Sequence, residues 1–236
     1  MSNLFGPPNS LLGALLQSTN SNQTTKRKAF FSFDYDDVMR VNNVRQAWKI
    51  DHPDNALMRS FYDSSLWESR KAEGDDAVKR LIRDGVQYTS AICVLVGTNT
   101  WSRRWVKYEI ARAVIDGRGL LAVHVNGLNH HVRRAPDPLG FNPLQLLGVY
   151  KHANGSFYLY ENRWVVLNLL TQQGEWQWLP YQDYTQAVTF PAYLREPDAG
   201  RIRLLSDGTS AYDYVAQDGH KNTGAWIDAA AKQVGR

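Results

Sequence analysis

Cysteine is almost absent from this chain: Cys93 is the single cysteine among 236 residues, which excludes a disulfide within the chain. Its place in an apolar run indicates a small buried side chain. Apolar runs are short as well, and none approaches the roughly 18–20 residues that a membrane-spanning helix needs. The segment "SLLGALL" near the N-terminus has no positive region before it, so no signal peptide is expected. We therefore predict a reducing, cytoplasmic location and no membrane partner.

Several functional signatures are missing too. The formal net charge is only +4, with a pI of about 9.1, which falls short of the dense basic stripe of a nucleic-acid-binding protein. The six histidines form no pair with convincing ligand spacing, so no metal site is predicted. Neither a glycine-rich phosphate loop in its required context nor a Gly-x-Ser-x-Gly motif occurs.

What the sequence does contain indicates a globular chain in three parts. Hydrophobic residues make up 43%, enough for a sizeable core. Residues 1–25 are rich in Ser, Asn, Thr and Gly, which predicts a flexible N-terminal tail. Residues 26–126 are predicted to form an α/β core. Residues 127–236, first rich in turns and proline and then partly β, are predicted to be an elaboration packed on that core.

Short apolar runs alternate with helical periodicity in the predicted core. Strands are expected at residues 29–33, 56–63, 91–97 and 119–126, with helices between them. This alternation favours a parallel sheet with helices on both faces. Ligands of such sheets bind beyond the carboxyl ends of the strands, which here marks the loops at residues 33–37, 63–74 and 97–103.

Some local boundaries also follow from the sequence. Asp75 is expected to cap a helix that Gly85 ends. Residues 155–169 are interpreted as a hairpin with its turn near residues 161–163. A last helix is expected from about Thr223.

The segment "TWSRRWVKYEIARAV" raises the main functional question. On a helix, Val106 and Ile110 share the stripe that faces the sheet, while Trp105, Glu109 and Arg112 share the neighbouring stripe. Glu109 therefore lies at the flank of the buried face. It could pair with Arg112 or Arg103 as an ordinary surface charge, or it could be an acid that faces the cleft.

Three segments together resemble a known family. "KRKAFFSFDYDD", "FYDSSLW" and "AICVLVGTNTWSRRWVKYEIARAV" are similar to the TIR-like domain of the ThsB proteins of the Thoeris anti-phage system. TIR domains carry Trp-x-x-x-Glu on the helix after the third strand, and this chain has Trp105-Val-Lys-Tyr-Glu109 there. The segment Asn142-Pro143-Leu144 and the C-terminal "YDYVAQDGHKNTGAWIDAAAKQVGR" extend the resemblance over roughly residues 26–236.

The resemblance implies a flavodoxin-like TIR fold and an enzyme that cleaves NAD at the nicotinamide–ribose bond. Its product would be a cyclic ADP-ribose-type messenger that activates a separate effector protein. NAD would be the substrate, and no cofactor is implied. Self-association or a phage-derived trigger are further partners that the family suggests. A non-catalytic TIR interaction module, a plain NAD-depleting hydrolase and another N-glycosidic enzyme stay open as alternatives.

Site residues follow from this resemblance together with position along the chain. The resemblance implies that Glu109 is the catalytic residue, because a carboxylate can stabilise an oxocarbenium-like ribose. Aromatic side chains could stack on nicotinamide or adenine and exclude water; the candidates are Phe33, Trp67 and Trp105. Polar contacts to the substrate are expected from strand ends, where loop capping is the alternative role; these candidates are Ser32, Asp34 and Asn99.

Overall fold

The computed structural model describes residues 27–51, 72–168 and 171–236, with only the backbone described at residues 48–51 and 168. The statements below concern these residues. The predicted tail at residues 1–25, the predicted strand at residues 56–63 and Trp67 lie outside them.

Eight strands and four α-helices make up the regular structure of the described part. The strands are β1 (Ala29–Phe33), β2 (Ala91–Val96), β3 (Gly119–His124), β4 (Leu147–Lys151), β5 (Phe157–Asn168), β6 (Gln173–Pro180), β7 (Ile202–Leu204) and β8 (Ser210–Asp213). The helices are α1 (Val38–Asp51), α2 (Asp75–Gln87), α3 (Arg104–Ile115) and α4 (Gly219–Lys232).

The first sheet has the strand order β1-β2-β3-β8, and its neighbours are all parallel. Ala29, Ala91 and Gly119, the first residues of three strands, lie side by side in the register. The carboxyl ends of these strands therefore meet at one edge, where the following loops gather. The predicted α/β fold with a parallel sheet is confirmed.

Side chains of the first sheet alternate between two cores. Odd-numbered positions of β2 such as Cys93 and Leu95 pack with α1 and α4, whereas Ile92 and Val94 pack with α2 and α3. Because both faces are covered by helices, β2 is buried along its whole length. This alternation decides which side chains of β1 can reach α3.

The second sheet is antiparallel and has the order β6-β5-β4-β7. Leu147 and Leu159 from this sheet join the core that contains α2 and α3. The chain then returns to the first sheet through β8 and α4, which packs on β2 and β3. Residues after 126 thus form a sheet of their own and also complete the first one, while the boundary at residue 126 stays a prediction.

Two local predictions at α2 are wrong. Gly85 lies inside this helix, which continues to Gln87. Ile82 and Val86 both bury their side chains in the core, and this packing outweighs the roughly 1 kcal/mol by which glycine weakens a helix. Asp75 is the first helical residue, and Gly74 with φ 101° precedes it.

The predicted hairpin at residues 155–169 is also wrong. Residues 161–163 lie in the middle of β5, where Glu161 pairs with Leu147 of β4 and with Leu179 of β6. Hydrogen bonds to β4 and β6 satisfy the backbone of this polar segment, whose sequence resembles a turn. The last helix begins at Gly219, earlier than the expected Thr223.

Gly119 offers a test of the contact between β3 and α4. A Cβ atom there would lie 2.3 Å from the carbonyl oxygen of Ala230, which is backbone and cannot rotate away. We expect Gly119→Ala to lower the free energy of unfolding by about 1–3 kcal/mol, measured by urea denaturation. Gly127→Ala is the control, because its Cβ would meet only the Val215 side chain, at 3.2 Å. Equal stability of the two variants would contradict this packing.

Candidate active site

Glu109 is buried on α3, with 7% of its surface exposed. Val106 and Ile110 on the same helix pack into the core and hold α3 against the first sheet. Glu109 lies next to this apolar stripe on the helix. Its side chain is therefore buried at the edge of the interface instead of extending into solvent. The structure therefore places Glu109 at the flank of the buried face, as predicted.

The hydroxyl group of Ser32 donates a hydrogen bond of 2.5 Å to Oε2 of Glu109. Ser32 is the fourth residue of β1 and is 0% exposed. Like Phe30, which packs in the core of α2 and α3, it lies on the face of β1 that α3 covers. The parallel sheet thus brings together two predicted site residues that are 77 positions apart in the chain.

The alternative ion pairs of Glu109 are absent from the described part of the chain, because the two arginines bind other carboxylates. Arg112 pairs with Asp116, the residue that follows the end of α3. Arg103 binds Asp34 at 2.7 Å and Asp36 at 3.0 Å. Glu109 is consequently not the surface charge that helical spacing also allowed.

Burial raises the pKa of Glu109 from 4.5 to about 8, while the hydrogen bond from Ser32 lowers it. Burial dominates because an ionised carboxylate loses most of its hydration in this interface. Much of the resting protein at neutral pH therefore holds a protonated Glu109. Such a group can release its proton once a positive charge comes near.

Asp34 lies at the carboxyl end of β1 and is also buried. Its carboxylate caps the 3₁₀ turn at Tyr35–Asp37 by accepting from the backbone N–H of Asp36. It also receives the Arg103 side chain from the start of α3. The capping role left open by the sequence is therefore present, and it joins β1 to α3.

A cavity of about 680 Å³ opens among the loops that follow β1, β2 and β3. Asp34 and Asp36 line it from the first loop, Asn99 from the second, and His130 and Arg133 from the third. Two predicted substrate contacts, Asp34 and Asn99, thus share one cavity at the predicted edge of the sheet. Neither Ser32 nor Glu109 is among the residues that line this cavity.

The predicted aromatic residues are placed differently from one another. Phe33 packs with the core on the α1 and α4 side, across β1 from Ser32. Trp105, one helical turn before Glu109 on α3, is half-buried, and its ring lies edge-on to Tyr108 and under the Arg104 guanidinium. Phe33 and Glu109 therefore lie on opposite sides of β1, and the role of Phe33 as a stacking residue stays a prediction.

A buried ion network beside the cavity was not predicted from the sequence. Arg40 is 2% exposed and binds Asp37 at 2.6 Å and Asp137 at 2.8 Å. Asp137 also receives Arg133, and the two arginines lower its pKa to about 2. The i, i+3 spacing of Asp37 and Arg40 is a usable sequence signal, whereas Asp137 is 97 positions from Arg40.

A second unpredicted group is aromatic. Trp101, in the turn after Asn99, contacts Phe141 and Trp176, with ring centroids 5.8 and 6.1 Å apart. Trp164 of β5 in turn packs edge-on against Trp176. These rings come from four separate segments, so no local spacing in the sequence indicates them.

The described ranges of the chain also bear on metal binding and on the membrane. No three His, Cys, Asp or Glu side chains there are grouped so that they could hold a metal ion. No helix in that part of the chain combines the length and apolar character that crossing a membrane requires.

A parallel α/β sheet whose third described helix carries a buried glutamate, opposite the first strand, is the arrangement that the resemblance to TIR-like domains implies. Residues 30–130 match the family described as "Thoeris protein ThsB, TIR-like domain". The chain is also 35% identical, over 208 residues, to a protein of Bacillus cereus (strain MSX-D12) named "Putative cyclic ADP-D-ribose synthase ThsB1". That alignment covers 86% of this chain and 99% of the relative. The chain belongs to the ThsB family of TIR-like proteins, and the resemblance of its motifs is confirmed.

Burial of Glu109 makes stability depend on pH. The folded protein keeps a proton that the unfolded chain releases above pH 4.5, so this contribution is complete below pH 4.5 and is lost as pH rises through about 8. We expect the free energy of unfolding of the wild type to fall, relative to Glu109→Gln, by about 1.4 kcal/mol per pH unit across that window.

Urea denaturation of both proteins between pH 5 and pH 9 measures this difference. Glutamine keeps the shape and an acceptor for Ser32 but cannot ionise. Glu175→Gln, on the exposed surface of β6, is the matched control and should follow the wild type. Parallel stability curves for wild type and Glu109→Gln would contradict the raised pKa.

Proposed function

We propose that this protein is an enzyme that cleaves NAD at the nicotinamide–ribose bond and closes the remaining ADP-ribose into a cyclic messenger for anti-phage defence. Membership in the ThsB family, with a relative named for cyclic ADP-D-ribose synthesis, supports the reaction class. The observation that carries the proposal within the molecule is the Glu109 carboxyl group, buried beside the carboxyl edge of the sheet.

The chemistry of NAD suits such a group. The bond from the ribose carbon to nicotinamide breaks, and the electron pair leaves with the ring nitrogen, which loses its positive charge. Positive charge then develops on the ribose as an oxocarbenium-like centre. An ionised Glu109 in a poorly solvated interface would stabilise that charge strongly, because little water screens it.

Ring closure needs a nucleophile from the same molecule in place of water. A nucleophilic atom of the adenosine half forms the new bond to the ribose carbon and releases a proton. A carboxylate with a pKa near 8 can take up that proton at neutral pH. Exclusion of water from the site favours closure over hydrolysis.

The cavity is the part of the described structure that we assign to substrate binding. Asp34 and Asn99 would contact the substrate from its wall, and Trp105 and Trp67 remain proposed stacking residues. Glu109 would act through the 7% of its surface that is not buried. A cytoplasmic location, a separate effector that reads the product, self-association and a phage-derived trigger belong to the same proposal.

Mass spectrometry of small molecules tests the reaction. The wild type, Glu109→Gln and the surface control Glu175→Gln are each incubated with NAD, and each is also expressed in phage-infected cells whose lysates are examined. We expect nicotinamide and a cyclic ADP-ribose mass from the wild type and Glu175→Gln. Glu109→Gln should lose at least about 100-fold of the rate, since it lacks the anion that stabilises the transition state.

Each other outcome has a definite meaning. Plain ADP-ribose would indicate an NAD-depleting hydrolase. The absence of any NAD-derived product in both the tube and the infected lysate would favour a non-catalytic TIR interaction module. Full turnover by Glu109→Gln would contradict the catalytic assignment of this residue.

The pKa of Glu109 also predicts the pH dependence of turnover. The ionised form is the active one, so kcat/KM should rise about tenfold per pH unit below pH 8 and level off above it. The inflection of kcat should lie at lower pH, because the cationic nicotinamide of bound NAD favours the ionised carboxylate. Initial rates between pH 5.5 and pH 9.5 measure both; a kcat/KM that is flat or falls with pH would exclude this role.

A further inference from the structure

Ser32 cannot reach a ligand in the observed structure. Its side chain is 0% exposed, and its hydroxyl group donates a hydrogen bond to Oε2 of Glu109. In the register of the sheet it lies beside Val94 of β2, which belongs to the core on the α3 side. The direct substrate contact expected for Ser32 from its position at a strand end is therefore not what this geometry offers.

The hydroxyl group of Ser32 is the polar partner that the described residues provide for Glu109. Around the pair, Val94, Val106 and Ile110 are apolar and buried. Charged side chains on α3 and on the elements packed against it form ion pairs elsewhere or are exposed. The pairs are Arg103 with Asp34, Arg104 with Asp75 and Asp183, Lys107 with Glu161, Arg112 with Asp116, and Lys79 with Asp183. The exposed residues of α2 are Asp76, Arg80, Arg83 and Asp84.

The remaining titratable groups of the neighbouring strands do not face the pair or do not influence it. Cys93 of β2 lies in the opposite core, with α1 and α4. His124 at the end of β3 interacts with Asp213. Burial and the Ser32 hydroxyl are the two influences on the pKa of Glu109.

We propose that Ser32 is a positioning residue: its hydroxyl group anchors Oε2 of Glu109 across the interface of β1 and α3, stabilises the ionised carboxylate and turns the other oxygen toward the substrate. The catalytic half of this inference rests on the proposed function. The structural half, that Ser32 controls the ionisation of Glu109, does not.

Two variants of Ser32 separate its hydroxyl group from its volume. Ser32→Ala is smaller and fits the buried site, but it cannot donate a hydrogen bond. Ser32→Thr keeps the hydroxyl group and suits a strand position. A hydrogen bond to a charged group is strong enough to move a pKa by about one unit or more, and its loss leaves burial unopposed.

In turnover of NAD, Ser32→Ala should move the inflection of kcat/KM from about pH 8 to about one unit higher. Its kcat/KM at pH 7 should then be about tenfold below the wild type and should recover much of that loss above pH 9. Ser32→Thr should restore the inflection of the wild type. A uniform loss at every pH would indicate a merely structural role and would overturn the proposal.

A readout without turnover keeps this test separate from the proposed function. Urea denaturation of Ser32→Ala and of the double variant Ser32→Ala/Glu109→Gln is compared from pH 5 to pH 10. The wild type should lose stability relative to Glu109→Gln as the pH rises through its window. Ser32→Ala should lose stability relative to the double variant in the same way, but up to a pH about one unit higher. Identical windows would overturn the inference even if NAD is the substrate. A shifted window without NAD turnover would support the positioning role and reject only the proposed reaction.

Discussion

The carboxyl group of Glu109, enclosed between α3 and β1, is the constraint on which the rest of the site depends. Removing an ionised carboxylate from water costs several kcal/mol unless a partner compensates. Here one hydroxyl group, that of Ser32, stands where a paired charge would be expected. The resting protein meets this cost by holding a proton, which is why the pKa of Glu109 rises to about 8. The position of α3 on the sheet and the face of β1 on which Ser32 lies therefore set the ionisation of Glu109 as well as the packing of the core.

The loops around the cavity are held by contacts of a different kind. A Cβ atom on Gly140 would come within 2.0 Å of the carbonyl oxygen of Gly97, so the loops after β2 and β3 touch backbone to backbone. Thr98 strengthens this contact by donating to the carbonyl oxygen of Pro138 at 2.7 Å. On the other side, Arg40 joins the turn after β1 to Asp137. Losing one member of such a buried ion pair is more damaging than the pair itself is stabilising, so these links hold the edge of the sheet in one arrangement.

Periodicity was sufficient to predict β1, β2, β3 and α3, because buried strands and amphipathic helices repeat their apolar residues at different intervals. It could not predict the partner of Glu109. Arg112 lies at helical spacing from Glu109, but it forms its ion pair with Asp116. Ser32 is 77 positions from Glu109, and the packing of α3 on the paired strands brings the two together. Pairing also explains the other failures. β8 has an exposed and polar pattern yet completes the parallel sheet, and the polar middle of β5 resembles a turn until two neighbouring strands satisfy its backbone.

A carboxyl group that is mostly protonated at rest has a consequence for catalysis under the proposed reaction. An interaction accelerates a reaction only where it is stronger in the transition state than in the ground state. A permanently ionised glutamate on the surface would attract the nicotinamide cation of bound NAD nearly as well as the ribosyl cation. A buried one becomes charged when positive charge arrives, and low local screening makes that attraction large at short range. Burial therefore lowers the stability of the fold at high pH and, by the same physical effect, reserves the charged carboxylate for the protein with bound NAD, where little water screens it from the charge that develops on the ribose.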